Sequence, residues 1–189
     1  SVSTYGKRSQ MSAFPTTSFT VSLWVKIPSG TSGKGLVSYA SNVDNDLLLY
    51  YGSSVTMFLN GNSDMYESGV TVADGSWHHI AWTWRSSDGE SLVYKDGQLA
   101  HTKTAFKTSH SIPSNGFMFL GQEQDSVGGS LNAAQSFTGS MAAVKIWSAV
   151  RTPQQIVADM ASKSVGSDCI AFYKFETQEM GQDASLSQN

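Results

Sequence analysis

Short apolar runs separated by turn residues fill most of this chain. In Ser18–Ile27 (SFTVSLWVKI) every second residue is apolar, which is the period-two pattern of a strand with one buried face. Asp96-Gly97 divides Leu92–Thr102 into two short strands and is a strong hairpin signal. The other runs with strand character are Gly35–Ser41, Leu47–Gly52, Val55–Gly61, Trp77–Arg85, Phe117–Gln122, Ser140–Ser148 and Cys169–Glu176. Strands at this spacing predict an all-β fold with an antiparallel two-sheet sandwich.

One segment, RTPQQIVADM, has the pattern of a helix instead of a strand. Thr152 is suited to the N-cap, Pro153 to the first helical position, and Gln155 to the third position of a Thr-x-x-Gln capping box. We therefore predict a short helix over residues 152–160.

Composition favours a single domain with a hydrophobic core. The chain has 189 residues, of which 40% are hydrophobic and 11% aromatic. A chain of this length buries about 70% of the surface that it exposes when unfolded. We predict one domain over 1–176 and a C-terminal tail or linker over 177–189. Cys169 is the only cysteine, so an internal disulfide is excluded, and its apolar surroundings favour a role in core packing.

The charge pattern argues against two classes of partner. The net charge is −3, only 14% of residues are charged, and no basic run is present, which argues against a nucleic-acid partner. No apolar stretch approaches the roughly 20 residues of a membrane span, so none is predicted in this chain.

The run Phe119–Gln135 (FLGQEQDSVGGSLNAAQ) is an unusual concentration of acidic and amide side chains after an apolar strand. Glu123 and Asp125 are separated by one residue, so they point the same way from an extended chain and repel each other. The side chains around them offer oxygen ligands, with no Cys or His, and such sets suit Ca²⁺ or Mg²⁺ better than Zn²⁺ or Cu²⁺. The alternative is an ordinary solvated turn.

A second polar stretch, SNVDNDLL (Ser41–Leu48), places Asp44, Asn45 and Asp46 in a turn between two apolar strands. These residues are also common in β-turns without any ligand, because their side chains bond to their own backbone. Both polar stretches lie at strand ends, and a sandwich can bring such ends together. The spacing alone leaves their meeting open.

Four segments resemble the pentraxin family. HIAWTW (His79–Trp84) is similar to the pentraxin signature His-x-Cys-x-Ser/Thr-Trp, with alanine at the cysteine position. LGQEQDSVGG (Leu120–Gly129) resembles the calcium loop of that family, and Ser38–Tyr51 resembles its first calcium segment. Ser136–Ile156 follows the pentraxin order of strand, tryptophan and Pro-started helix. The resemblance covers about Phe19–Ile156 and implies a jelly-roll sandwich.

The resemblance also implies calcium ligands, for one or two ions. Glu123 and Asp125 match the carboxylates that bridge both ions, and Gln124 matches a ligand that acts through its backbone carbonyl. Asn132 stands where pentraxins usually have an acidic ligand, and lower ligand charge generally weakens calcium binding. The full set of matching positions is Asp44, Asn45, Glu123, Gln124, Asp125, Asn132 and Gln135.

A site of this kind predicts a calcium-dependent recognition module. Two Ca²⁺ ions would outweigh the three carboxylates of Asp44, Glu123 and Asp125, so an anionic group could bind the ions directly. The resemblance implies a phosphate-bearing or acidic carbohydrate ligand, with Tyr50 as an apolar contact beside the ions or simply as an aromatic of the sheet face. It also implies a homo-oligomer and an extracellular location, secreted or in an ectodomain. Weak oxygen sites fill at extracellular calcium concentrations.

Ser22 and Ala81 stand where pentraxins join two strands by a disulfide. We expect nearby tryptophans (Trp24, Trp77, Trp82 and Trp84) to compensate through buried area. This departure favours an alternative function, a protein-binding or self-associating adhesion domain of a larger extracellular or receptor protein, with structural calcium or none.

An enzyme of the concanavalin-like glycoside hydrolase type would need a second carboxylate as its acid, in a Glu-x-Asp-x-x-Glu pattern. Here Gly128 stands at the place of the second Glu. We therefore predict that the protein is not an enzyme.

Overall fold

A computed structural model of the chain describes residues 6–175. These residues form two six-stranded antiparallel sheets and one short helix. The first sheet has the order β1 (Gly6–Met11), β10 (Gly116–Leu120), β3 (Lys34–Ala40), β4 (Leu47–Tyr51), β5 (Val55–Leu59) and β6 (Met65–Glu67). The second has the order β12 (Cys169–Tyr173), β11 (Ser140–Trp147), β2 (Ser18–Lys26), β7 (Trp77–Arg85), β8 (Ser91–Lys95) and β9 (Gln98–Lys103). The prediction of an all-β antiparallel fold is confirmed.

Two strands of the first sheet were not predicted. β1 has the sequence GKRSQM and β6 only three residues, so neither contains an apolar run long enough to show a period of two. The predicted strand at Cys169–Glu176 ends at Tyr173. Its last residue and the predicted tail over 177–189 lie outside the described residues.

The chain divides into two compact units, each containing one of the sheets. Among the described residues, the second unit consists of 15–26, 77–111 and 140–175. The helix α1 (Pro153–Ala161) in this unit begins at the predicted N-cap and has both hydrogen bonds of the capping box. Ile156 of this helix is buried against Ala81 and Tyr94, so α1 packs on the sheet that it follows. No helix among residues 6–175 is long and apolar enough to span a membrane.

Ser22 and Ala81, which stand at the positions of the pentraxin disulfide, are direct partners in the β2–β7 register. Trp82 and Trp84 nearby are fully buried, and Phe19 meets the ring of Trp82 edge-on at 4.7 Å. The prediction that all four tryptophans supply buried area was wrong for Trp77. It is 45% exposed, because it opens β7 at the end of the sheet.

Among the described residues, the first unit consists of 6–14, 27–76 and 112–139, and it contains every predicted site residue. Two segments of this unit place those residues, the turn between β3 and β4 (residues 41–46) and the loop that follows β10 (residues 121–135). We call them the first site loop and the second site loop.

Candidate functional site

The first site loop is braced by Asp46, which is almost fully buried. One oxygen of its carboxylate, Oδ2, accepts hydrogen bonds from Ser41 N at 2.6 Å, Ser41 Oγ at 2.7 Å and Asn42 N at 3.0 Å. The ordinary turn role considered for this stretch therefore applies to Asp46. Asp44 and Asn45 are left to point elsewhere, and Asn45 is completely buried.

The second site loop lies directly against the first sheet. A Cβ atom at Gly35 would stand 2.4 Å from the backbone nitrogen of Glu123, so only glycine permits this approach. The side chain of Gln124 holds the loop further along, because its Nε2 donates to Ser38 Oγ at 3.1 Å and to Phe117 O at 2.9 Å. Its Oε1 accepts from Gly128 N at 2.8 Å. The Gln124 side chain thus serves the loop, and the ligand role of its carbonyl stays a prediction.

Glu123 lies at the centre of the candidate site. It is 7% exposed, and each of its carboxylate oxygens accepts one hydrogen bond from an amide. Asn45 Nδ2 donates to Oε1 at 3.4 Å, and Gln135 Nε2 donates to Oε2 at 2.6 Å. The two loops therefore meet, which the sequence had left open.

Both amides that bind Glu123 have an oxygen without a partner. Asn45 Oδ1 and Gln135 Oε1 are buried and accept no hydrogen bond. A buried acceptor without a partner costs about 1–3 kcal/mol, so two of them beside one carboxylate call for an explanation.

The electrostatics of the cluster disfavour its negative charge. Burial raises the pKa of Glu123, the hydrogen bond from Asn45 partly offsets this, and the charges of Asp125 and Asp44 raise the pKa further. The same surroundings raise the pKa of the Tyr50 hydroxyl, through burial and the charge of Glu123, against a hydrogen bond from Gln135. Asp44, Asp125 and Tyr50 are therefore electrostatic neighbours of Glu123.

Asn132 has a role in the structure that the sequence did not predict. Its Oδ1 accepts from Ala134 N at 3.0 Å and so caps the short 3₁₀ turn Ala133–Gln135. Its backbone oxygen accepts from Gln122 Nε2 at 2.9 Å. Asn132 thereby helps to place Gln135, and its ligand role stays a prediction.

Asn62 joins the cluster, although the sequence analysis did not select it. It lies in the turn after β5, where its amide accepts from Asn45 and donates to Asp44. The turn sequence NGNSD offered only the general signal of a polar β-turn.

The donor set suits a hard cation that takes many oxygen ligands. Within the described part of the chain, no three His, Cys, Asp or Glu side chains are arranged to hold a metal ion. A cation at Glu123 would therefore also need amide or carbonyl oxygens, and the unpartnered oxygens of Asn45 and Gln135 are such ligands. Calcium accepts this mixture of carboxylate and amide oxygens, whereas zinc and copper prefer nitrogen and sulfur.

Comparison with known proteins identifies close relatives in sequence. A model described as the Pentaxin family matches residues 1–184. Sushi, von Willebrand factor type A, EGF and pentraxin domain-containing protein 1 of Rattus norvegicus is 37% identical over 152 residues, which are 79% of this chain and 4% of that protein. Neuronal pentraxin-2 of Cavia porcellus is 37% identical over 141 residues, which are 74% of this chain and 33% of that protein.

A solved pentraxin structure is similar to this chain in fold. The SAP-like pentraxin of Limulus polyphemus matches with a TM-score of 0.70 at 24% identity, over 85% of this chain and 77% of that one. The predicted jelly-roll class is thereby confirmed. The chain spans a third or less of the length of the two relatives compared in sequence.

Proposed function

The chain belongs to the pentraxin family, and on this premise we propose that it is a calcium-dependent recognition module. One or two Ca²⁺ ions would bind among Asp44, Asn45, Glu123, Asp125 and Gln135, with the Gln124 carbonyl and Asn132 as further ligands. The module would hold a phosphate-bearing or acidic carbohydrate ligand.

The observation that supports this proposal most strongly is the pair of unpartnered amide oxygens. Asn45 and Gln135 approach Glu123 from different loops. Each donates a hydrogen bond from its amide nitrogen to the carboxylate, and its amide oxygen has no partner. Because calcium binds six to eight oxygens, one cation could coordinate both amide oxygens and neutralise the negative charge of Glu123.

The residues around the carboxylates have separate tasks in this proposal. Asp44 and Asp125 supply negative charge from the two site loops, and Glu123 joins the loops through its two oxygens. Rotation of the Gln135 amide about its last side-chain bond would turn its oxygen toward a cation, whereas the Asn45 amide is held by its hydrogen bonds to Asn62 and Glu123. Bound calcium would supply the positive charge that attracts an anionic ligand.

Tyr50 supports a ligand with an apolar portion beside its anionic group. Its ring meets that of Phe58 edge-on, with centroids 6.2 Å apart, and both side chains are half-buried. Since the Tyr50 hydroxyl lies by Gln135 and Glu123, this aromatic pair adjoins the proposed cation site.

The remaining parts of the proposal concern the setting of the module. We propose one domain over 1–176, with 177–189 as a tail or linker. We also propose assembly as a homo-oligomer and an extracellular location, where calcium is abundant enough to fill weak oxygen sites. No catalytic step is proposed, because Gly128 takes the place of a second acid and its position packs on the ring of Phe117.

Thermal unfolding with calcium and with EGTA tests the metal site. Linkage requires that a native state that binds calcium unfolds at a higher temperature when calcium is present. Magnesium at the same concentration is the control, since its smaller octahedral shell suits this mixed amide set less well. An unchanged Tm in calcium would contradict the site.

Retention on a phosphoethanolamine resin, with release by EGTA, tests the ligand class. A panel of acidic glycans covers the carbohydrate part of the proposal. A protein that binds calcium but neither probe would have a structural calcium site, as in the alternative of an adhesion domain that binds protein or its own copies.

A further inference from the structure

We propose that Asn62 is a positioning residue of the calcium site and that its turn acts as a third site loop. The inference rests on the proposed function, but it concerns a residue outside the two loops that carry the pentraxin-like motifs. The third site loop is Asn60–Asp64, between β5 and β6.

The backbone attaches this turn to the first site loop. Gly61 N donates to Asn45 O at 2.8 Å, and Asn60 N donates to Asp46 O at 3.3 Å. Leu59 N donates to Asp64 O at 3.0 Å and closes the turn. Asn60 and Gly61 both have positive φ, at 65° and 95°, which lets the chain reverse tightly here. The turn is therefore held against the backbone of the first site loop.

The side chain of Asn62 binds two predicted ligands at the same time. Its Oδ1 accepts from Asn45 Nδ2 at 2.5 Å, and its Nδ2 donates to Asp44 Oδ2 at 3.2 Å. Asn45 Nδ2 therefore donates both to Asn62 and to Glu123. Because both hydrogen bonds are made through Nδ2, they fix the plane of the Asn45 amide. Its Oδ1 is then the atom without a hydrogen-bond partner.

A carboxamide suits this place better than other polar side chains. It presents one acceptor to Asn45 and one donor to Asp44, and it adds no charge to a cluster that already holds three carboxylates. A serine is too short to span two neighbours, and an aspartate would lack the donor. Residues that orient metal ligands in this way typically contribute about 10- to 100-fold to metal affinity.

The test compares variants of the whole chain by calorimetric titration with calcium chloride and by unfolding with and without calcium. Asn62→Ala should weaken the calcium Kd by about tenfold. Ser63→Ala, the next exposed position of the same turn, should leave the Kd unchanged. Circular dichroism confirms that each variant is folded.

Unfolding of Asn62→Ala with and without calcium separates positioning from simple bracing of the turn. Loss of positioning weakens calcium binding, so the rise in Tm on adding calcium should be smaller in Asn62→Ala than in the unaltered chain. Bracing alone would lower the Tm equally with and without calcium.

An unchanged calcium Kd in Asn62→Ala, or a calcium-induced rise in its Tm equal to that of the unaltered chain, would overturn the role of Asn62. If the unaltered chain binds no calcium in the same titration, the proposed function itself fails. The two failures are therefore distinguishable in one experiment.

Discussion

Replacing Glu123 by glutamine should stabilise the calcium-free protein and remove its response to calcium. Glu123 is 7% exposed and is flanked by the amides of Asn45 and Gln135. The oxygen of each amide has no hydrogen-bond partner. A glutamine at 123 keeps one acceptor and gains a donor. Rotation of the Gln135 amide would let its oxygen accept that donor.

The magnitudes follow from burial and linkage. Satisfying one buried acceptor returns about 1 kcal/mol, which is about 2–4 °C in Tm for a chain of this size. In the unaltered protein, free calcium at about 100 times its Kd adds about 2.7 kcal/mol. That gain corresponds to a rise of about 5–11 °C, and Glu123→Gln should lose most of it.

Differential scanning calorimetry between acidic and neutral pH adds a check on the cause. The pKa of Glu123 is raised by burial, so its contribution to stability is full below the unfolded pKa of glutamate. It is lost as pH rises through the raised folded value. The stability difference between Glu123→Gln and the unaltered calcium-free protein should therefore grow as pH rises.

The reasoning would be refuted by a variant that is less stable without calcium and still gains several degrees with it. Such a result would mean that Glu123 is favourable as a buried anion and that calcium binds elsewhere. Asp46→Asn is unsuitable as a control, because Asp46 braces the first site loop.

Three further predictions concern the scaffold. Gly35→Ala places a Cβ 2.4 Å from a backbone nitrogen of the second site loop and should weaken the calcium response, whereas Gly52→Ala, with 3.4 Å to its nearest neighbour, should not. Replacing Ser22 and Ala81 together by cysteine should form a cross-strand disulfide in non-reducing conditions. Closing a loop of about 60 residues adds up to about 4 kcal/mol to the free energy of unfolding. A Tm that reduction leaves unchanged would contradict this prediction. Burial lowers the pKa of His79 to about 4. Its contribution to the free energy of unfolding is therefore full above about pH 6.5, and about 3 kcal/mol of it is lost as pH falls through 4. His79→Gln should flatten that loss in Tm measured against pH, and an unchanged slope would exclude His79 as its cause.

The strands and the helix could be predicted because their signals are local. β7 has the predicted bounds at both ends, and the capping box of α1 forms as its sequence indicated. β1 and β6 were not predicted, because neither has an apolar pattern of its own. They are strands because they pair with β10 and β5 in the folded sheet.

The candidate site could be predicted only in part. Motif resemblance selected Asn45, Glu123 and Gln135, and the structure joins all three by hydrogen bonds. The same reasoning did not find Asn62, since its turn carries no distinctive motif. Nor did it show that Asn132 caps the 3₁₀ turn that ends at Gln135.

The sequence by itself determined the period-two strands, the helix start and the oxygen-rich composition of two loops, because each depends on neighbours along the chain. Only the tertiary structure decided that Asn45 and Glu123, 78 residues apart, share a hydrogen bond. It also decided which amide oxygens lack partners and which carboxylates are buried. Those properties depend on strand register and loop packing, which bring together groups whose separation along the chain carries no information about their distance in space.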